Sequence, residues 1–142
     1  ADWALWKLAG ARTQMIWESP WGAGFPGWHI ECSAMSIDFL DAAVDIHVGG
    51  IDLRFPHHEN ERAQSNSLTG HEVVQRWVHG EHLLFEGRKM SKSAGNVVLL
   101  GDLIERGLDP LSLRFALLEN RYRSQMDLSR AKLEATHSTL RR

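Results

Sequence analysis

The stretch from Gly49 to Glu61 limits the possible folds of this chain more than any other, because it joins a strand pattern to a helix pattern. Residues 44–48, just before it, are β-branched and partly apolar, which predicts a strand. Gly49 and Gly50 allow the backbone to leave that strand in conformations closed to other residues. Pro56 suits the first turn of a helix, where its missing N–H has no cost. The sequence therefore predicts a strand–turn–helix joint with a possible nucleotide-binding turn.

The helix of this joint carries a candidate metal-binding face. His57 and Glu61 lie four positions apart, so their side chains would share one face of the helix. An imidazole and a carboxylate at that spacing are half of a plausible zinc site, although such pairs are more often solvated surface groups. His58, one position away, is expected to point elsewhere. The remaining ligands would have to come from other parts of the chain.

Composition places the chain among ordinary globular proteins. Of its 142 residues, 43% are hydrophobic and 24% are charged, and no apolar run is long enough to cross a bilayer. A net charge of −2 gives no general attraction to nucleic acid. Cys32 is the only cysteine, which excludes an internal disulfide and fits a reducing, cytoplasmic environment.

The regions around the central joint have simpler patterns. Residues 2–8 have the spacing of a short helix, and the proline- and glycine-rich segment 19–27 predicts an irregular connector. Residues 28–41 have apolar positions three and four apart, which predicts a helix that contains Cys32. Residues 122–127 are expected to be irregular, ahead of a last amphipathic helix.

Two strand patterns, at residues 44–48 and 76–85, are separated by the helix that starts near Pro56. Such strands are expected to be parallel and joined by a right-handed crossover. Parallel sheets are stable when several strands are covered on both faces, and two strands are too few. We therefore expect an α/β fold in which part of a nucleotide-binding domain lies upstream of residue 1.

A basic loop follows the second strand pattern. Its sequence is Lys89-Met90-Ser91-Lys92-Ser93, with two lysines, two hydroxyls and glycines on both sides. Lysine is a point charge that can follow a phosphate group as it moves, and such a loop suits the charge that builds on departing pyrophosphate. Composition alone would also fit a solvated basic loop.

The literal string of this loop matches the signature loop of class I aminoacyl-tRNA synthetases. Two other segments are more specific: residues 26–35, Pro-Gly-Trp-His-Ile-Glu-Cys-Ser-Ala-Met, and residues 55–61, Phe-Pro-His-His-Glu-Asn-Glu. Residues 122–125, Tyr-Arg-Ser-Gln, also match a segment that follows the loop in one family of that class. Together these segments make the chain resemble cysteinyl-tRNA synthetase over nearly its whole length.

The resemblance implies a metal site. In that family two cysteines, a histidine and a glutamate hold a zinc ion, and three of these positions match Cys32, His57 and Glu61. The second cysteine and a His-Ile-Gly-His signature that helps to bind ATP belong to the first half of the family's nucleotide-binding fold, which this sequence does not contain. Zinc prefers a thiolate to a hydroxyl, so the bound ion would select cysteine over serine.

The resemblance also implies the remaining site residues. It assigns Asp52 to the ATP ribose, beside the nucleotide turn at Gly49 and Gly50, and it places substrate against Trp28, Cys32 and His57. Lys89 and Lys92 would stabilise the phosphates during catalysis. Ile51 departs from the family, which usually has a serine after three glycines, so the fine shape of the turn is expected to differ.

The implied fold and function follow the same family. Residues 1–27 would be a connector from the insertion domain, residues 28–100 the second half of a Rossmann-like catalytic domain, and residues 101–142 a helical region like a stem-contact domain. The implied substrates are L-cysteine, ATP with Mg²⁺ and tRNA(Cys), with Zn²⁺ as cofactor, and a monomer is expected. Residues 1–142 alone are not expected to catalyse cysteine-dependent ATP–pyrophosphate exchange.

Two other functions fit part of the sequence. A cysteine ligase of mycothiol biosynthesis shares the signature loop and much of the cysteine site but uses an amino-sugar acceptor. The residues Glu59, Asn60 and Glu61 favour the synthetase. A truncated paralogue that binds zinc or a partner without activating cysteine is the second alternative.

Overall fold

The structure is a computed structural model that describes residues 4–90 and 95–142. Contacts divide the chain into two compact units, Ala1–His79 and Gly80–Arg142. Within the described ranges, no helix combines the length and the apolar character needed to cross a bilayer. The last three residues of the signature loop, Ser91, Lys92 and Ser93, lie outside these ranges.

The first unit begins with a short antiparallel pair of strands. Strand β1 (Trp6–Leu8) pairs with strand β2 (Gly24–Pro26), so that Trp6 faces Pro26 and Leu8 faces Gly24. Gly24 is required because a Cβ there would overlap the backbone oxygen of Lys7. The sequence prediction of a short helix over residues 2–8 is therefore wrong at Trp6–Leu8, since long-range pairing makes this segment a strand.

The rest of the first unit contains two packed helices and two paired strands. Helix α1 (Trp28–Leu40) precedes strand β3 (Val44–Gly50), and helix α2 (Glu59–Thr69) precedes strand β4 (Val74–Gly80). Strands β3 and β4 form one sheet, and helices α1 and α2 pack together. A small core of buried valines supports the sheet: Val44, Val73 and Val74. These helices match the sequence prediction.

The second unit has a three-stranded sheet and three helices. Strand β5 (Leu83–Phe85) lies between strand β6 (Arg88–Lys89), which is antiparallel to it, and strand β7 (Met126–Leu128), which is parallel. The helices are α3 (Leu100–Glu105), α4 (Leu111–Leu118) and α5 (Arg130–Leu140). They enclose a core of six buried residues: Phe85, Leu103, Ala116, Met126, Leu128 and Leu133.

Two strand predictions need correction in this region. The single strand expected over residues 76–85 is two strands, because the chain leaves the β3–β4 sheet at Glu81, whose N–H donates to Tyr122 O. Residues Met126–Leu128 form strand β7 beside β5, so the expectation that residues 122–127 are irregular is wrong at Met126 and Asp127. Both errors have the same cause, since three-residue strands carry little pattern of their own.

Candidate functional site

At the end of strand β3, Gly49 and Gly50 leave room for neighbouring side chains that a Cβ would meet. A Cβ at Gly49 would lie 2.6 Å from Cε1 and 2.8 Å from Nε2 of His58, so only glycine admits this ring. A Cβ at Gly50 would lie 2.5 Å from Oδ1 of Asp52. Gly50 itself has an ordinary extended backbone, with φ −69° and ψ 157°. The sequence argument from unusual backbone conformations is therefore wrong, and close approach replaces it.

Two turns connect this strand end to helix α2. Residues Ile51–Leu53 form a 3₁₀ turn, and Arg54–His58 form a wider turn in which Phe55 is extended, with φ −140° and ψ 131°. Pro56 thus belongs to the wider turn and not, as expected, to the first turn of α2. Its carbonyl oxygen accepts from the N–H of Glu59, and the helical path from there keeps His57 and Glu61 one turn apart.

The structure brings together the three predicted metal ligands. One ligand atom each from Cys32, His57 and Glu61 lies within 4.8 Å of the other two. Helix α1 supplies the thiol, while the turn before α2 and α2 itself supply the imidazole and the carboxylate. His57 and Glu61 are almost fully buried, at 4% and 3% exposure, so water does not solvate this pair.

The contact between these two residues is close but is not a hydrogen bond. His57 Nε2 lies 2.7 Å from Glu61 Oε1, yet Oε1 is buried with no hydrogen-bond partner in the described residues. A buried carboxylate oxygen without a donor is costly unless a cation or a proton compensates it. Thiolate, imidazole and carboxylate are also the donors that zinc prefers, so the residues present fit that ion.

Burial sets the protonation of this cluster. It raises the pKa of Glu61 to about 7, and it raises the pKa of the Cys32 thiol, with a smaller contribution from the Glu61 carboxylate. Burial lowers the pKa of His57, helped by the nearby His29 and His47. Each group therefore favours its neutral form when no cation is bound, which is the response of charges removed from water.

Two aromatic residues hold His57 in place. Trp28 stacks on its ring at 4.2 Å between centroids, and 57% of Trp28 remains exposed. On the other side His29 Nδ1 lies 2.7 Å from His57 Nδ1, within hydrogen-bond distance. This contact occupies Nδ1 and leaves Nε2, the nitrogen next to Glu61, as the ring atom that could bind a metal ion. Sequence reasoning selected Trp28 but missed His29.

His58 does not point away from Glu61 as expected. It forms a second set of mutually close ligand atoms with His47 and Glu61, also within 4.8 Å. Its Nδ1 lies 2.8 Å from His79 Nε2, and burial lowers its pKa to about 4, with His47 and His79 adding to the effect. His47 and His79 were missed by sequence reasoning, because nothing in their spacing connects strands β3 and β4 to the turn before α2.

The predicted nucleotide-binding residues lie in both units. The Asp52 carboxylate is exposed on the first unit, next to Gly50. Lys89 is exposed on strand β6 of the second unit, and its backbone oxygen accepts from Asn96 Nδ2. Lys92 lies outside the described residues. The assignment of these residues to ATP stays a prediction.

Comparison with known proteins identifies the family. A profile described as the catalytic domain of class I (C) tRNA synthetases matches residues 1–138. The chain belongs to this family. The resemblance inferred from the sequence motifs is thereby confirmed, because the match covers nearly every residue.

Curated relatives in this family have a common name. A cysteine–tRNA ligase from Thermus thermophilus is 53% identical over 134 residues, which cover 94% of this chain and 28% of that protein. One from Opitutus terrae is 48% identical over 141 residues, which cover 99% of this chain and 31% of that protein. The chain therefore spans less than a third of the length of these relatives. Their names favour the synthetase over the amino-sugar ligase.

A solved structure supports the fold class. The ternary complex of Agrobacterium radiobacter LeuRS with tRNA and LeuAMS matches 94% of this chain and 21% of its own chain, with a TM-score of 0.64. At 18% identity the likeness concerns the fold alone. It agrees with the mixed helices and sheets of both units, and hence with the predicted α/β class.

Proposed function

We propose that this chain is part of a cysteine–tRNA ligase and carries the residues that select cysteine. The observation behind this proposal is the convergence of Cys32, His57 and Glu61, whose ligand atoms lie within 4.8 Å of one another. The names of the curated relatives support the same activity. The lone free thiol further suits a reducing cytoplasm.

Discrimination between cysteine and serine calls for a metal. Apolar contacts separate such similar side chains by only about 10–200-fold. When bound, zinc supplies an open coordination position that prefers the substrate thiolate to a hydroxyl. Cys32, His57 and Glu61 would hold it, with His29 fixing the ring of His57 through the 2.7 Å contact between their Nδ1 atoms. Trp28, stacked on His57, would form a wall of the cysteine pocket.

The proposed reaction has two steps, and both rely on positioning and charge stabilisation. The carboxylate of L-cysteine attacks the α-phosphate of ATP, so that an acyl–phosphate bond forms and Mg²⁺-bound pyrophosphate leaves. A ribose hydroxyl at the end of tRNA(Cys) then attacks the acyl carbon, and AMP leaves. Asp52, beside the turn at Gly49 and Gly50, would bind the ATP ribose, while Lys89 and Lys92 would stabilise the departing pyrophosphate.

The finer assignment of the fold belongs to the same proposal. We infer that strands β3 and β4 with helices α1 and α2 are the second half of a Rossmann-like fold, within residues 28–100. The paired strands of residues 1–27 would connect it to an insertion domain. Helices α4 and α5, within residues 101–142, would correspond to a stem-contact region, and the ligase would act as a monomer.

Cobalt in place of zinc tests cysteine selection directly. With one equivalent of Co²⁺ bound to the chain, we expect a thiolate-to-cobalt charge-transfer band from Cys32. L-Cysteine should strengthen this band by adding a second thiolate, and L-serine should leave it unchanged. S-Methylcysteine, which has no ionisable thiol, is the matched control. Equal responses to cysteine and serine would refute the proposed selection by coordination.

Metal binding should release protons, and the pKa values predict how many. At pH 7 the Cys32 thiol is protonated and Glu61, with a pKa of about 7, is about half protonated. Zinc needs both groups ionised, so binding should release between one and two protons at pH 7 and no more than one at pH 9. Affinity should therefore rise with pH across this range.

Calorimetry in buffers with different ionisation enthalpies measures this proton release. Cys32→Ser is the matched variant, because it should reduce the release by about one proton at pH 7, where the thiol is protonated. Zinc binding without proton release would show that the thiol is not a ligand.

The lysine of the signature loop should act on the rate. We expect Lys92→Ala to slow adenylate formation by about 10²–10³-fold, because charge builds on pyrophosphate mainly in the transition state. The cysteine requirement should change little. Lys132→Ala is the control, since Lys132 pairs with Glu119 on the second unit.

Cysteine-dependent ATP–pyrophosphate exchange measures this effect. The chain spans less than a third of the length of its relatives. It would therefore be assayed alone and together with the remaining catalytic segments of the Thermus thermophilus ligase. An unchanged rate with a raised cysteine requirement would contradict the role of Lys92.

A further inference from the structure

Glu61 faces a different histidine with each of its two carboxylate oxygens. Oε1 lies 2.7 Å from Nε2 of His57, and Oε2 lies 3.5 Å from Nε2 of His47. The first oxygen belongs to the set with Cys32, and the second lies beside the set completed by His58. A buried carboxylate whose two oxygens face different histidines has the geometry of a carboxylate that bridges two cations.

We propose that His47, His58 and Glu61 form a second divalent-metal position, linked to the Cys32–His57 position through the Glu61 carboxylate. The ligand atoms of this second set lie within 4.8 Å of one another, close enough for one ion to contact all three after small side-chain shifts. Carboxylate-bridged ions in proteins are typically about 3.5–4 Å apart. The two ions would share one carboxylate, because each contacts a different oxygen of Glu61.

The surroundings of His58 support a ligand role. Its Nδ1 lies 2.8 Å from His79 Nε2, the kind of supporting contact that orients metal-ligating histidines. Gly49 makes room for the ring, since a Cβ there would lie 2.8 Å from His58 Nε2. Trp77 packs on the rings of His47 and His58 at 4.7 Å and 4.9 Å between centroids and limits their movement.

The donor set determines the class of ion. Two imidazoles and one carboxylate suit late first-row cations such as Zn²⁺, Co²⁺ and Ni²⁺. Mg²⁺ and Ca²⁺ prefer oxygen donors and would bind weakly. The second position has no thiolate, which separates it spectroscopically from the position that contains Cys32.

Titration of the 142-residue chain with Co²⁺ tests the proposal. We expect saturation at two equivalents, with a thiolate charge-transfer band from one equivalent and only visible ligand-field absorption from the other. Because a shared carboxylate couples the two spins, the electron paramagnetic resonance signal per cobalt should fall as the second equivalent binds. Saturation at one equivalent, or two equivalents with uncoupled spins, would overturn the proposal.

Variants assign the second equivalent to its residues. His47→Ala should abolish it and keep the thiolate band, whereas Cys32→Ser should remove the band and keep one equivalent. His79→Ala should weaken the second ion by about 10–100-fold, as expected for loss of a supporting residue. His71→Ala is the control, because His71 is exposed and its Nε2 contacts Ala42 O. Loss of the second equivalent in His71→Ala alone would place it on the surface and refute the assignment.

Each variant needs a measurement that separates lost binding from lost folding. Near-ultraviolet circular dichroism reports the packing of the six tryptophans, which include Trp28 and Trp77 against the two histidine sets. His47→Asn, closer in size and polarity than alanine, should also lose the second equivalent while it keeps this spectrum. A folded His47→Asn chain that still binds two coupled ions would contradict the proposal.

Discussion

Replacement of Cys32 by serine is expected to lower the zinc affinity of this chain by about 10²–10³-fold. Binding of structural zinc has an apparent free energy of about 10–16 kcal/mol, or about 2.5–4 kcal/mol for each of four ligands. Every 1.4 kcal/mol is about tenfold in affinity. A serine hydroxyl does not ionise near neutral pH, so it cannot replace the thiolate. Competition with a chromophoric chelator measures the change.

Cys32→Ser should remove the thiol without disturbing the fold. Serine has nearly the same size as cysteine, and Cys32 is only half-buried on helix α1, so the fold should be retained. Ser36→Ala on the same helix is the matched control, because it removes a hydroxyl that does not belong to the set of Cys32, His57 and Glu61. If Cys32→Ser changes the affinity only a few fold, the thiol is not a ligand and selection of cysteine must have another origin.

Sequence reasoning located part of the site because the helical repeat is regular. The spacing of His57 and Glu61 was enough to predict a shared face, and their 2.7 Å contact confirms it. No local rule connects Cys32 with residues far along the chain, so its inclusion depended on the family resemblance. The family match over residues 1–138 confirms that resemblance, and the structure brings the three side chains together.

The histidines around the site could not be predicted in the same way. His47 lies on strand β3, His79 on strand β4 and His58 in a wide turn, and only the paired strands bring them together. The error over His58 came from starting a regular helix at Pro56, although residues Arg54–His58 form a wider turn. Short strands were missed for a related reason, since strands β1 and β7 depend on distant partners.

Glu61→Gln should have opposite effects on metal binding and on the stability of the metal-free chain. The amide is a poor zinc ligand, so binding should weaken about as much as in Cys32→Ser. Without metal, however, the wild-type carboxylate is buried, and burial raises its pKa from 4.5 to about 7. A folded-state pKa above the unfolded value means that stability falls as pH rises through that interval.

The size of this effect follows from the pKa change. Ionised Glu61 should reduce the free energy of unfolding by up to about 3 kcal/mol above pH 7, with no reduction below about pH 4. Glutamine has no such dependence but leaves a buried amide that costs about 1 kcal/mol. Metal-free Glu61→Gln should therefore be less stable than wild type by about 1 kcal/mol at pH 4 and more stable by about 2 kcal/mol at pH 8.

Urea denaturation in the presence of a chelator, at several pH values, measures this crossover. The lowered pKa values of His47, His57 and His58 make the stability of both chains fall as pH drops toward 4, so the difference between the chains isolates Glu61. Glu59→Gln is the control, because Glu59 is an exposed carboxylate on the same helix and should show no crossover. Added zinc should reverse the order at pH 8, since the wild-type chain gains more binding free energy than the variant. The opposite result, a Glu61→Gln chain less stable than wild type at pH 8 without metal, would show that neighbouring side chains already stabilise the ionised carboxylate. The argument for a cation at Oε1 would then fail.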